Sequence, residues 1–339
     1  MKRMKTIAAA FAGVAALGLA ASASAAAIIT NGTVTLGVDD LGQLNVPGGT
    51  PSPVSGTSDV GLRFNATGNE ATSHGCLCEG WGVGIGGSAT GGFANNAIGT
   101  GGLALISFTS DATTATSVVS VAGGALEVTH AYAPAAETPN LYRVTVTIKN
   151  TSGSDIANLL YRRTFDWDVE PDTFNEFVTI GGAAGATAVL QAVNNGFCSS
   201  NVFSACNPLL AGGMGDFVDL GPTDHGANFD FDFGMLKDGE SFTFEIFYGA
   251  ALTEVGALSA LAAVGAEVFS LGQCASDPRG VGAAGPTGQT CNTFAFGFKG
   301  VGGTPIDDPV IPVPAALPLF LAGLAGFGAL RRRKALAVA

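Results

Sequence analysis

The chain has 339 residues and is acidic and rich in glycine, with 27 Asp and Glu, 15 Lys and Arg, and 50 Gly. Seven of the 15 basic residues lie in the two terminal segments described below, which leaves 8 basic against 27 acidic residues and a net charge of about −19 for the body. So few basic residues exclude a nucleic-acid binder, because contacts to phosphate need clustered Lys and Arg. An acidic body suits a secreted protein that stays soluble, or one that binds divalent cations.

The first 25 residues predict a secretory signal peptide. Three basic residues between positions 2 and 5 precede an apolar stretch at 7–21. Small residues follow, and Ala23 and Ala25 give the A-x-A form of a cleavage site. This three-part order is that of a signal peptide, and we expect cleavage after Ala25.

The segment 26–301 predicts one acidic all-β extracellular domain, an antiparallel β-sandwich with one short helix. Short runs that alternate apolar and polar residues recur between Gly, Asn and Asp turns, which is typical of β-sandwiches. The clearest run is 141–150, and a second long strand is expected after a polar turn, at 156–169. Further strands are expected at 33–38, 60–65, 103–109, 117–130, 178–180, 188–193, 229–233, 241–248 and 293–298.

Two segments differ from this strand pattern. The segment 253–265 predicts a helix, because Thr253 suits an N-cap, an acidic residue follows it, and Leu258 and Leu261 recur at helical spacing. The Gly-rich run 82–87 resembles part of a dinucleotide-binding fingerprint. It lacks the strand-loop-helix context of that motif, so we expect glycine-rich turns there.

Six cysteines predict disulfide bonds, because an even number in an exported chain favours a disulfide framework. Of the fifteen connectivities that six cysteines allow, pairing between neighbours is the simplest. The pairs are then Cys198 with Cys206, Cys274 with Cys291, and Cys76 with Cys78. A ring that spans one residue is strained, so a partner elsewhere is the alternative for the last two. A zinc site is a further alternative, but the usual C-x-x-C spacing and a partner pair of histidines are missing.

An acidic stretch at 161–172 is the main candidate for a functional site. On a strand, alternate residues from Phe165 onward face the core, and the opposite face carries carboxylates about 6.5 to 7 Å apart. This spacing suits a shared hard cation, and we predict calcium. The predicted ligands are Asp166, Asp168, Glu170 and Asp172. One alternative is a solvated face, neutralised in part by Arg162 or Arg163, and another is a glycosidase acid–base pair, which needs carboxyl groups roughly 5 to 9.5 Å apart.

Two aromatic features have a structural and a binding interpretation. Trp81, in the Gly-rich segment 74–82, is interpreted as an anchor that holds this loop to the core, and an exposed platform for a sugar is the alternative. The run 229–233 alternates Phe and Asp and is expected to be a half-buried strand. No residue lies in a known nucleophile or phosphate-binding motif, so no catalytic residue is predicted.

The C-terminal part predicts a linker at 302–310 and a membrane-sorting segment at 311–339. The sorting segment has a Pro-rich start and a basic end, and the uncharged stretch between them is about long enough to span a bilayer core of roughly 30 Å. The positive-inside rule places the basic end in the cytoplasm and the body outside. Because prolines shorten the usable helix, the segment is interpreted as one that is recognised and processed.

This segment resembles the VPLPA variant of the PEP-CTERM sorting signal. The residues that carry the resemblance are Ile311, Pro312, Val313, Pro314, Ala315, Arg331, Arg332 and Arg333. Ile311 and Val313 stand where the family pattern has Val and Leu. The resemblance implies export by a Gram-negative bacterium and processing by an exosortase-type membrane protease. It also implies an intermediate tethered to the inner membrane by the C-terminal helix, and then a place at the cell surface or in the extracellular matrix.

Segments of the body, among them CLCEGWGVG and YRRTFDWDVEP, are similar to those of uncharacterised PEP-CTERM proteins. This similarity implies no established activity. We therefore expect a non-enzymatic surface or matrix protein associated with exopolysaccharide or biofilm. The alternative is a secreted carbohydrate-binding or carbohydrate-active protein, similar to a glycoside hydrolase, that uses the acidic strand around Asp166–Asp172.

Overall fold

The computed structural model describes residues 26–285 and 288–307. The expected signal peptide, with Ala23 and Ala25, lies outside the described residues, and so does the expected sorting segment at 311–339. Within the described ranges, no helix has the length and apolar character needed to cross a membrane.

The described residues form seventeen strands and one α-helix, so the predicted all-β class with a single short helix is confirmed. The strands are β1 (Ala27–Thr30), β2 (Val34–Val38), β3 (Leu62–Phe64), β4 (Gly80–Ile85), β5 (Gly91–Asn95), β6 (Leu103–Ser110), β7 (Ala115–Val121), β8 (Leu126–Pro134), β9 (Leu141–Asn150), β10 (Leu159–Trp167), β11 (Glu176–Gly181), β12 (Val189–Val193), β13 (Phe217–Thr223), β14 (His225–Asp232), β15 (Ser241–Ala251), β16 (Val268–Cys274) and β17 (Thr293–Lys299). The helix is α1 (Glu254–Val264).

The strands are arranged in three antiparallel sheets. The smallest contains β1, β2 and β3, the second has the order β12-β14-β10-β4-β5, and the largest has the order β13-β11-β16-β17-β15-β9-β8-β7-β6. The two larger sheets face each other through aromatic side chains. Phe165 of β10 stacks on Phe296 of β17 with ring centroids 4.9 Å apart, and Phe229 of β14 meets Phe298 of β17 at 5.0 Å. This buried aromatic layer is the centre of the hydrophobic core.

Helix α1 covers the other face of the nine-stranded sheet, where Leu261 packs in a cluster with Phe247 and Ala295. The helix begins and ends where the sequence predicts. The Thr253 hydroxyl accepts a hydrogen bond from the Gly256 N–H at 3.2 Å, which satisfies one free donor of the first turn. Gly265 ends the helix with a left-handed φ of 70°, a conformation that glycine adopts without steric cost.

The described part of the expected linker lies against the domain. The backbone N–H of Gly303 donates to the Glu267 carboxylate at 3.0 Å, and that of Ile306 donates to the Ala266 carbonyl at 2.9 Å. The Ile306 side chain packs against the same cluster as helix α1. The chain is therefore held to the β-domain as far as Ile306.

Two local predictions are wrong. The single strand expected at 117–130 is the hairpin β7–β8, because Ala122, Gly123 and Gly124 take positive φ and reverse the chain. The run 82–87, expected to form turns, lies mostly in strand β4.

Glycine is required in β4 because the loop 195–206 lies directly on this strand. A Cβ on Gly82 would overlap the Ser200 carbonyl oxygen, and one on Gly84 would lie 2.6 Å from the Phe203 ring. A glycine-rich strand is the usual solution where another backbone approaches this closely.

A buried ion pair lies between the two larger sheets. Arg163 of β10 and Glu79 have no exposed side-chain surface, and the Arg163 Nε donates to a Glu79 oxygen at 2.5 Å. Glu79 also accepts hydrogen bonds from the Tyr248 hydroxyl at 2.8 Å and from the Leu44 N–H at 2.6 Å. Burial of a charge is tolerated when it is paired and its remaining lone pairs are satisfied, and this pair meets both conditions.

We expect Arg163→Met to lower the free energy of unfolding by about 3–5 kcal/mol, because it leaves the Glu79 carboxylate buried without its cation. The matched control is Arg143→Met, which removes partly exposed pairs with Glu137 at 2.8 Å and with Glu245 at 2.9 Å. A surface pair of this kind contributes less than about 1 kcal/mol. Urea unfolding of both variants measures the difference, and equal losses would contradict the importance of the buried pair.

Candidate metal centre

Asp166 and Asp168 lie on the outer face of the five-stranded sheet, opposite the aromatic core. Side chains alternate along a strand, so Phe165 and Trp167 point to the core while Asp166 points away from it, and Asp168, directly after the strand, lies beside Asp166. The aspartates are nevertheless buried, with 1% and 0% of their surface exposed. The outer face here is therefore covered and not solvated.

The loop 195–206 is one cover of this face. Gly196 lies so close to the strand that a Cβ there would be 2.5 Å from the Asp166 Cα atom. Arg162, on the same face as Asp166, donates to the Ser199 carbonyl at 2.7 Å and to the Ser204 carbonyl at 2.9 Å. These bonds hold the loop on the sheet. Its two cysteines, Cys198 and Cys206, have Cα atoms 5.5 Å apart and are at disulfide distance.

The loop before β4 is a second cover. Gly75 takes a positive φ of 79°, and a Cβ at this position would lie 3.6 Å from a carboxylate oxygen of Asp168. Cys76 and Cys78 follow in the same loop, at disulfide distance, with Cα atoms 5.1 Å apart. The loop thus lies directly above the two aspartates.

Neighbouring strands bring a third aspartate to the pair. Trp167 pairs with His225, so Asp224, which precedes β14, lies opposite Asp168. One carboxylate oxygen from each of Asp166, Asp168 and Asp224 lies within 4.8 Å of the other two. We call these three residues the acidic centre.

The same strand pairing brings the cysteines to Asp166. Thr164 pairs with Gly80, so Cys78, two residues before Gly80, approaches Asp166, two residues after Thr164. The Sγ atoms of Cys76 and Cys78 and an oxygen of Asp166 all lie within 4.8 Å of one another. The sulfurs of Cys76 and Cys78 therefore lie beside the Asp166 carboxylate of the acidic centre.

Most carboxylate oxygens in this region have no partner among the described residues. Neither oxygen of Asp166 or of Asp168 accepts a hydrogen bond, and Asp224 Oδ1 and Glu176 Oε2 also lack one. The great majority of buried polar groups are hydrogen-bonded, and an exception points to a strained site, a water or an ion. Six carboxylate oxygens without a donor, on four neighbouring side chains, point to a cation.

Burial and mutual repulsion raise the pKa values of these carboxyl groups. Burial, with the neighbouring Asp166 as the next cause, raises the pKa of Asp168 to about 10. Burial, reinforced by Asp224, holds the pKa of Asp166 well above its ordinary value, and burial raises the pKa of Glu176 to about 9. Without a cation Asp168 and Glu176 keep their protons at neutral pH, and a bound divalent cation would displace such protons.

The four predicted calcium ligands do not meet at one point. Asp166 and Asp168 come together, but the buried carboxylate of Glu170 accepts hydrogen bonds from the Ser52 hydroxyl at 2.5 Å and the Glu70 N–H at 2.8 Å. Asp172 accepts a hydrogen bond from the Ser276 N–H at 2.6 Å. Strand β10 ends at Trp167, and the simple alternation that linked all four side chains ends with it.

Two other sequence features also have clear positions. Trp81 has no exposed surface, and its Nε1 donates to the Leu41 carbonyl at 2.9 Å, so it anchors β4 in the core. Phe229 and Phe231 are buried in β14, while Asp230 on the other side pairs with Arg162 at 2.5 Å.

The third cysteine pair, Cys274 with Cys291, has Cα atoms 6.2 Å apart, so all three predicted pairs are at disulfide distance.

The sequence prediction missed Asp224, which lies far along the chain from Asp168.

Comparison with known proteins finds no family model that matches the chain and no curated protein that is similar to it. The chemistry of the site therefore rests on its geometry. Three convergent carboxylates form a hard, oxygen-rich site of the kind that binds Ca²⁺, Mg²⁺ or Mn²⁺.

In the presence of a chelator, we expect the free energy of unfolding to fall as the pH rises from about 5 to about 9. The folded protein keeps a proton on Asp168 up to a pKa of about 10, whereas the unfolded chain loses it at the ordinary value, so raising the pH favours unfolding. Asp168→Asn should flatten this dependence. Glu240→Gln, which changes an exposed carboxylate, should preserve it. Urea unfolding at several pH values tests this, and an unchanged slope in Asp168→Asn would contradict it.

Proposed function

We propose that this chain is an exported, non-enzymatic protein of the cell surface or extracellular matrix whose β-domain is stabilised by a divalent cation at the acidic centre. The observation that carries the proposal is the pair of buried aspartates, Asp166 and Asp168, none of whose four oxygens has a partner in the described structure. A bound cation would satisfy these oxygens and offset the repulsion between them.

Calcium is the cation that the ligand set favours. It takes about six to eight oxygen ligands and accepts carboxylates through one or both oxygens. Asp166, Asp168 and Asp224 bring one oxygen each to within 4.8 Å of the others, and Glu176, which has an unpartnered oxygen, lies near enough to Asp168 to raise its pKa. Magnesium needs a stricter octahedral geometry and usually keeps several waters, which suits a site of buried carboxylates less well.

The proposal of export rests on the two ends of the chain and on the cysteines. The predicted signal peptide and the resemblance to a PEP-CTERM sorting signal support processing by an exosortase-type protease and association with exopolysaccharide. Three cysteine pairs at disulfide distance support an oxidising compartment.

The burial of the acidic strand favours a structural over a carbohydrate-active function. A glycosidase needs two carboxyl groups that a sugar can reach on either side of the bond to be cleaved. Asp166, Asp168 and Glu170 are at most 1% exposed, and Trp81 is fully buried. These residues therefore support a site for a small ion rather than for a polysaccharide.

We expect calcium to raise the melting temperature of the chelator-treated protein, because a ligand that binds only the folded state stabilises it. At a calcium concentration 100 times the Kd, the stabilisation is about 2.7 kcal/mol. Because Asp168→Asn also changes the stability of the cation-free protein, the quantity to compare is the calcium-induced shift within each variant. Scanning calorimetry should show that Asp168→Asn loses most of this shift and Glu240→Gln keeps it. A native protein whose melting temperature calcium leaves unchanged would contradict the proposal.

We expect the intact mass of the protein recovered from the producing cell to show removal of residues 1–25 and a change at the C-terminal end. Deletion of residues 311–339 should abolish retention at the membrane, because it removes the apolar stretch and the basic end. Cell fractionation measures this retention, and the full chain is the control for the deletion variant. A recovered chain that still carries residues 1–25 would contradict export.

A further inference from the structure

We propose that Cys76 and Cys78, when reduced, join Asp166 in a site for a thiophilic cation such as Zn²⁺, so that the thiol state of this pair sets which class of metal the acidic centre binds. The inference rests on the proposed function, in which the oxidised protein holds a hard cation at the same carboxylates.

The positions of the ligand atoms carry this inference. Two sulfurs and one carboxylate oxygen, from Cys76, Cys78 and Asp166, lie within 4.8 Å of one another. A tetrahedral zinc ion with Zn–S distances of about 2.3 Å and Zn–O distances of about 2.0–2.2 Å holds its ligand atoms less than about 4 Å apart. The two sulfurs are bonded to each other in the oxidised form, so after reduction they must move apart to reach this spacing, while the Asp166 oxygen needs only a small movement. Asp168 or Asp224, whose oxygens lie within 4.8 Å of that of Asp166, can supply the fourth ligand.

The loop that carries these cysteines is open to small reagents. Cys76 is half-buried, whereas the other five cysteines are at most 6% exposed. Gly75 beside it is exposed, and a surface cavity of about 360 Å³ is lined in part by His74, Gly75 and Leu77. A small dithiol can therefore reach the Cys76 sulfur before those of the other cysteines.

The other two cysteine pairs differ from Cys76–Cys78 in their surroundings and serve as controls. Cys274 and Cys291 also lie within 4.8 Å of a carboxylate, that of Asp172. That carboxylate already accepts a hydrogen bond from the Ser276 N–H, and both cysteines are at most 1% exposed. Cys198 and Cys206 form no such group with a carboxylate within the described residues.

The chemical step balances with an external dithiol as the reductant. The dithiol gives two electrons to the Cys76–Cys78 disulfide and becomes a disulfide itself, while each cysteine sulfur gains a proton. Zn²⁺ then displaces both thiol protons, and the proton that Asp166 carries, to solvent and binds the two thiolates together with the Asp166 carboxylate. Thiolates select zinc and similar ions whereas carboxylates alone select calcium, so the two thiol states bind different classes of metal.

The test uses the full chain and Co²⁺ as the spectroscopic probe. The protein is treated with dithiothreitol under native conditions, freed of reductant without air, and titrated with Co²⁺. We expect a thiolate-to-cobalt charge-transfer band in the near ultraviolet that saturates at one ion per chain and disappears when Zn²⁺ is added. The double variant Cys76→Ser/Cys78→Ser should lose the band, Cys198→Ser/Cys206→Ser should keep it, and Asp166→Asn should weaken Co²⁺ binding by at least about tenfold.

A second measurement needs no variant. Alkylation of the partly reduced native protein, mapped by mass spectrometry, should label Cys76 and Cys78 before the other cysteines, and Zn²⁺ should protect these two. No band in the reduced native protein, a band that survives the Cys76→Ser/Cys78→Ser change, or no protection by Zn²⁺ would overturn the inference.

The calcium-induced shift in melting temperature, measured on the oxidised form of the same preparation, separates the two proposals. A calcium shift without a thiolate band overturns only the thiol-dependent site. A thiolate band without a calcium shift overturns only the calcium-stabilised function.

Discussion

A carboxyl group removed from water must be paired with a cation, be fully hydrogen-bonded or keep its proton, and this requirement governs the centre of the protein. Among the described residues, eight carboxyl side chains but only three guanidinium groups are buried. The buried acids are Asp40, Glu70, Glu79, Asp166, Asp168, Glu170, Glu176 and Asp277. Arg63 pairs with Glu70 and Arg163 pairs with Glu79, whereas Arg162 pairs with Asp230 at the edge of the loop. The chain thus has too few buried cations of its own for the acidic centre, and an external cation is the economical complement.

Strand β10 shows two solutions to this requirement on its two faces. On the inner face, Arg163 and Glu79 form a complete network with Tyr248 and the Leu44 N–H, which needs nothing from outside the chain. On the outer face, Asp166 and Asp168 have the Asp224 carboxylate beside them, and within the described part of the chain none of their oxygens has a hydrogen-bond donor. The inner network stabilises the contact between the two sheets, and the outer one provides a place for an ion. Because Arg163 and Asp166 lie on the same central strand, an ion at the outer face would be coupled to the packing of the core.

Local sequence patterns were sufficient for several parts of this structure. The alternation along β9 and β10 and the caps of helix α1 depend on near neighbours, and each was predicted within a few residues. The cysteine pairs belong to the same group, because each closes a short loop. For the same reason the sequence could indicate that Asp166 and Asp168 share a face.

Other parts depend on contacts between distant segments, which one sequence does not show. Strand β4 looks like a series of turns because its glycines are required by a loop that follows more than a hundred residues later, around Ser200. Asp224 becomes a neighbour of Asp168 only through the pairing of β10 with β14. The outer face of the five-stranded sheet is also buried by distant segments. One is the loop before β4, which precedes β10 in the sequence, and the other is the loop 195–206, which follows β10. Glu170 was assigned to the site because the alternation was extended beyond Trp167, where the strand ends.

The loop over the acidic centre connects the proposed cation to the compartment in which the protein folds. When the Cys76–Cys78 disulfide is closed, the neutral sulfurs leave only carboxylates to bind a cation, so the site is a hard one. When the disulfide is open, two thiolates would add negative charge beside three carboxylates, which increases the need for a cation and changes the preferred kind. Because cation binding to the folded state contributes directly to folding free energy, the form that suits calcium is stabilised only where the thiols are oxidised and calcium is present. In the proposed function both conditions are met outside the cytoplasm, so calcium at the acidic centre would stabilise the fold after export.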